Sequence, residues 1–161
     1  MKKLTTRELT FAAAVAALYV SLTLATYEFS FGTMMWQLRI AEALTILPIF
    51  SPVAIPGVFV GCIISNLFSP ISTLDKIIGP LATGIAAVLT HLLRKKPLAA
   101  IAPPVLINAF VVGLALYLAD IGPYWLMVGS VGLGQLAACY GLGLPLYYAL
   151  RKLPENVLPR G

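Results

Sequence analysis

Apolar residues fill five long charge-free runs, 9–27, 43–74, 77–93, 97–119 and 121–150, joined by short polar junctions. A helix that crosses a bilayer needs about 20 mostly apolar residues, so a run near that length predicts one span. The 43–74 run has room for two short helices, and Pro48, Ser51, Pro52 and Pro56 supply the break between them. The 121–150 run is overlong for one helix. Its opening, Gly122-Pro123-Tyr124-Trp125, reads as an interfacial turn that leaves one generous span. The pattern predicts an all-α integral membrane protein with six transmembrane helices, residues 1–161 forming a single six-helix membrane domain.

Composition agrees: 60% hydrophobic, 11% charged, and a mean hydropathy of +0.93 exclude an ordinary soluble domain. Lys2 and Lys3 ahead of an apolar stretch resemble a signal peptide. Thr23-Leu24-Ala25 is a poor cleavage site, so the stretch is expected to be a retained first span. Basic residues cluster at Lys2, Lys3 and Arg7, at Arg94, Lys95 and Lys96, and at Arg151 and Lys152. With six spans these clusters share one side, which the positive-inside rule makes cytoplasmic, termini included. The chain is then a multi-pass protein of a bacterial or archaeal cell membrane. Its net charge of +5 reflects topology rather than nucleic-acid binding.

The same orientation sets Glu28, Arg39, Glu42, Asp75, Lys76 and Asp120 at or near the outer face. The junction Gln37-Leu38-Arg39-Ile40-Ala41-Glu42 stands out, because an arginine and a glutamate three apart lie on one face of a helix where a span begins. Ionised groups are expensive in hydrocarbon and normally mark an aqueous cavity or ligand site. The bland alternative is an interfacial anchor or ion pair. Tyr27, Phe29, Phe31, Trp36, Phe68, Tyr124 and Trp125 gather at the same level. An aromatic belt accounts for several of them, whereas an outward-opening polar pocket with aromatic walls accounts for rings and carboxylates together. Asn66, Thr83, Asn108 and Gln135 fall within spans, where each could instead bond a neighbouring helix.

Catalytic machinery is not in view. The single histidine, His91, lies on the side opposite the carboxylates, and Cys62 and Cys139 are isolated in apolar spans with no metal-ligand spacing. The run Gly129-Ser130-Val131-Gly132-Leu133-Gly134 lacks the Gly-Lys-Ser/Thr ending of a nucleotide loop. An enzyme, a metal site and a cofactor held by this chain are therefore not expected. The first span carries small residues at Ala13, Ala17, Ser21 and Ala25, with Ala12 and Ala16 alongside. Such a strip serves close helix packing, either inside the fold or against a separate subunit, and Gly57 and Gly61 form a second small pair.

Six spans with cytoplasmic termini and an alanine-rich first helix resemble the substrate-binding S components of energy-coupling factor transporters. The stretch 37–45 with its Arg39-Ile40-Ala41-Glu42-Ala43-Leu44 block, then Leu47-Pro48, residues 54–62, Asn66, and Asp75 followed by residues 79–83 look like the QueT family, assigned to uptake of queuosine precursors. Lys76 beside Asp75 is a mild departure from that pattern. The resemblance implies a substrate such as 7-aminomethyl-7-deazaguanine. It also implies docking of Ala12, Ala13, Ala16 and Ala17 on a transmembrane coupling protein, with two partner ATPase subunits consuming the ATP. The base offers N–H donors, a carbonyl and a cationic arm, which suit carboxylates, an amide or arginine, and aromatic rings. The expected site is therefore Glu42 at the donor edge supported by Arg39, Gln37 or Asn66 at the carbonyl, Asp75 at the ammonium, and Trp36, Phe31 and Tyr27 stacking, with Glu42 and Asp75 exchangeable. Competing readings are an S component for another vitamin or base, a stand-alone proton-coupled carrier using Glu42, Asp75 and Asp120, and a structural scaffold. A ligand panel, and uptake without partner subunits, separate them.

Overall fold

The computed structural model describes residues 5–32, 37–154 and 158–159, and every regular element among them is helical. We label these α1 (Thr6–Ala25), α2 (Ile40–Ile49), α3 (Ala54–Leu67), α4 (Thr73–Leu92), α5 (Pro97–Leu118) and α6 (Tyr124–Arg151). Four of them, α1, α4, α5 and α6, are long and apolar enough to cross a membrane. The other two are the shorter pieces into which the 43–74 run divides, with Phe50, Ser51, Pro52 and Val53 between them. Beside a short π-helical turn at Glu28–Gly32, these six segments follow the predicted runs, but among the described residues only four reach the length of a full span.

Local chemistry sets the ends. Thr5 caps α1 through a reciprocal box in which its hydroxyl accepts from the Glu8 amide (3.3 Å) and the Glu8 carboxylate accepts from the Thr5 amide (2.6 Å). Ser72 caps α4 by accepting from the Asp75 amide (3.0 Å). The turn from α5 into α6 passes through Asp120 at φ 56°, a left-handed conformation that aspartate tolerates better than most residues.

α2 is a 3₁₀ helix with Pro48 inside it, unusually long for that type. Its entry residue Arg39 reaches Asp75 at the start of α4, and the Pro48 carbonyl meets His91 Nδ1 (2.7 Å) at the end of α4. It therefore runs beside most of α4. The 3₁₀ winding rises about 2.0 Å per residue against 1.5 Å for an α-helix, so few residues cover that depth.

α1 packs on α3 through glycines. A Cβ on Gly57 would stand 2.7 Å from the Ala12 carbonyl oxygen, and one on Gly61 would stand 2.7 Å from Tyr19 Cβ. Only hydrogen side chains let these backbones approach so closely. The bundle is polar inside and apolar outside: Arg39, Glu42, Asn66, Asp75, Thr83 and Asn108 are buried, while large side chains such as Leu9, Leu18, Ile85, Leu106 and Leu133 are exposed. A fold meant for water would reverse that arrangement, and this one suits lipid.

Candidate functional site

The polar interior is built from two linked clusters. The upper one gathers around Arg39. Its Nη1 donates to Asn66 Oδ1 (3.0 Å) and its Nη2 to Asp75 Oδ2 (3.2 Å). Asn66 Nδ2 donates to the Asp75 backbone carbonyl (3.1 Å), and the Ser69 hydroxyl donates to Asp75 Oδ2 (3.2 Å). The guanidinium lies over the Phe31 ring, 5.0 Å from its centroid, and Phe31 packs on Tyr27 with centroids 5.3 Å apart. Gly79 makes room for this group, since a Cβ there would stand 2.5 Å from Asn66 Nδ2.

The deeper cluster centres on Glu42, which is only 1% exposed. Its Oε1 accepts from the Tyr19 hydroxyl (2.5 Å) and the Thr83 hydroxyl (3.3 Å), and its Oε2 accepts from Asn108 Nδ2 (3.4 Å). Three donors from α1, α4 and α5 converge on one side chain of α2, an arrangement that suits an ionised carboxylate. Asn108 opens a π-helical segment, Asn108–Val112, in the middle of α5. Such bulges locally re-aim side chains and recur at functional sites.

Gln37, Arg39, Glu42, Thr83, Asn108 and Gln135 line a small cavity with Val112 and Val131. Its volume is about 10 Å³, space for about one water. Sequence reasoning expected an open, wet hollow with aromatic walls; the structure instead shows a closed cluster whose polar groups mostly satisfy one another. A flat bicyclic base of the kind the resemblance implies needs many times this space. Two buried acceptors, Asn108 Oδ1 on a side chain that lines the cavity and Asp75 Oδ1 behind Arg39, have no hydrogen-bond partner among the described residues. Buried polar atoms of that kind are costly and recur where a ligand completes the set.

The expected site residues are therefore brought into one neighbourhood but with different neighbours. Gln37, Arg39 and Glu42 line the cavity, whereas Asn66 and Asp75 stand behind Arg39. Arg39 pairs with Asp75 and not, as its spacing suggested, with Glu42. Phe31 covers Arg39, and Tyr27 sits farther out with its hydroxyl donating to the Phe68 carbonyl (3.4 Å). Trp36 lies outside the described residues. Tyr19, a Glu42 donor, was not among the expected site residues; its hydroxyl in the first span is one of several, beside Thr10, Ser21 and Thr23, and nothing in the sequence set it apart. Thr83, Asn108 and Gln135 had been left between site and packing roles, and the cavity gathers all three.

The alanine strip divides in two. Ala12 and Ala16 are buried, and their backbones face Gly57 and Gly61, which removes them from the expected docking face. Ala13, Ala17, Ser21 and Ala25 are exposed.

Among comparisons with known proteins, the family described as QueT transporter matches residues 9–152 of the chain. No curated protein and no solved structure matches it.

Proposed function

The chain belongs to the QueT transporter family, a family of membrane transport proteins, and from that premise we propose that it is the substrate-binding subunit of an energy-coupling factor transporter. In this reading it crosses the membrane six times with both termini cytoplasmic and captures 7-aminomethyl-7-deazaguanine or a close relative from outside. A transmembrane coupling protein and two ATPase subunits then drive import, and this chain holds no cofactor. The shared direction of α2 and α4 supports six passes, because α2 runs from the level of Asp75 to that of His91.

Glu42 is the observation that carries the ligand assignment. Arg39 pairs with Asp75, so among the described residues Glu42 has hydrogen-bond donors but no cationic partner. A buried carboxylate in that state is costly unless further donors join it, which the N–H edge of a base supplies. Glu42 takes the donor edge and Gln37 the carbonyl, since the amide of Asn66 is already engaged on both sides. Asp75 Oδ1, which has no hydrogen-bond partner among the described residues, receives the ammonium, and Phe31 and Tyr27 stack. Asn108 and Gln135 add amide groups against the ring. Ala13 and Ala17 remain as the docking face for the coupling protein.

Calorimetric titration of the purified chain with the deazaguanine tests the assignment. Glu42→Gln should weaken binding by about tenfold or more, because hydrogen bonds to charged groups contribute about 1.5–3 kcal/mol. Undiminished affinity in that variant would remove Glu42 from the site, and no binding by the unaltered chain would end the deazaguanine reading.

A further inference from the structure

A second cavity lies at the opposite end of the bundle, away from Glu42, and has a volume of about 590 Å³. That is well within the range of small-ligand sites, about 300–1,000 Å³. Its lining combines two guanidiniums, Arg94 and Arg151, with an apolar wall that includes Phe50, Leu150 and Leu158. Arg94 is held in place. His91 Nδ1 faces the Pro48 carbonyl (2.7 Å), which can only accept, so the ring hydrogen sits on Nδ1. His91 Nε2 is then an acceptor, and Arg94 Nη1 donates to it (3.0 Å) and to the His91 carbonyl (3.3 Å). The proline inside α2 thus fixes, through one imidazole, the position of an arginine in the turn just past the end of α4. No carboxylate among the described residues lines the cavity or pairs with either arginine. At its rim, Ser51 donates to the Pro159 carbonyl and ties the end of the chain to the α2–α3 break.

We propose that this cavity is a phosphate-binding site whose occupant is the headgroup of an anionic phospholipid. Two guanidiniums with no carboxylate partner among the described residues suit a phosphate. The apolar wall distinguishes a lipid from free phosphate, because acyl carbons gain from covering Phe50, Leu150 and Leu158 while an inorganic ion does not. Lys95, Lys96 and Lys152 surround this end of the bundle. With the orientation proposed above, it faces the cytoplasmic leaflet, where anionic lipids attract basic pockets between helices.

The experiment is native mass spectrometry of the full chain in detergent, titrated separately with phosphatidylglycerol, phosphatidylcholine and inorganic phosphate. Phosphatidylglycerol should be retained in preference to phosphatidylcholine. Arg94→Gln and Arg151→Gln, both at exposed positions, should each reduce that preference by about fivefold, with the double variant losing it. Equal retention of both lipids, or an undiminished preference in the double variant, overturns the site. Displacement of phosphatidylglycerol by an equal concentration of inorganic phosphate overturns the lipid as occupant. Deazaguanine titration of the same variants keeps this site apart from the substrate site, since neither arginine touches the Glu42 cavity and binding there should be unchanged.

Discussion

Removing Arg39 should expose how much of the upper site rests on a single ion pair. Arg39 is 5% exposed and Asp75 is 0% exposed, and they meet at 3.2 Å. In Arg39→Met the Asp75 carboxylate stays buried with Ser69 as its remaining side-chain donor among the described residues, where its other oxygen already has no partner. Breaking a buried pair in this way costs about 3–5 kcal/mol, because an uncompensated charge is left behind. Asp75→Asn should cost less, since Arg39 keeps Asn66 Oδ1 at 3.0 Å and the Phe31 face at 5.0 Å. The double variant Arg39→Met/Asp75→Asn removes both charges and should recover much of the loss. A double-mutant cycle read by unfolding in mixed micelles measures this directly, with an expected coupling of about 2–3 kcal/mol. Additivity of the two single effects within about 0.5 kcal/mol would refute the pairing, because independent sites add to that tolerance. Equal loss in all three variants would leave the coupling in place but deny the recovery expected from removing both charges.

The remaining predictions concern backbone contacts. Gly134→Ala places a Cβ on the Gln37 backbone carbonyl, so the segment carrying Gln37 and Arg39 must move. It should cost about 1–3 kcal/mol in stability and weaken substrate binding together. Gly129→Ala and Gly141→Ala, whose added carbons meet nothing within 4 Å, should leave both measurements at or above the starting value. Ala13→Trp should leave the purified chain folded by circular dichroism yet abolish its co-purification with coupling-protein subunits. Ala12→Trp should instead fail to fold, because that position faces Gly57 across the α1–α3 contact.

Much of the architecture was legible along the chain. The charge-free runs locate the helices, the prolines and serine of 48–52 locate the break within 43–74, and the polar residues inside spans name the members of the interior cluster. These features are local: bilayer length and the hydrogen-bonding needs of the backbone act on each segment separately. Partner choice was not local. The three-residue spacing of Arg39 and Glu42 implied a shared helical face, but Arg39 sits before the first turn of α2 with extended backbone (φ −91°, ψ 95°), so the helical rule does not govern its direction. It turns to Asp75 on α4, and Glu42 is left to Tyr19, Thr83 and Asn108 from three other helices. Nor could the alanine spacing say which of two adjacent strips turns inward, because Gly57 and Gly61 on another helix fix the rotation of α1. Sequence alone determined which residues had to leave the lipid. Tertiary structure decided which of them meet, because a buried charge settles on whatever partner the packed helices bring within reach.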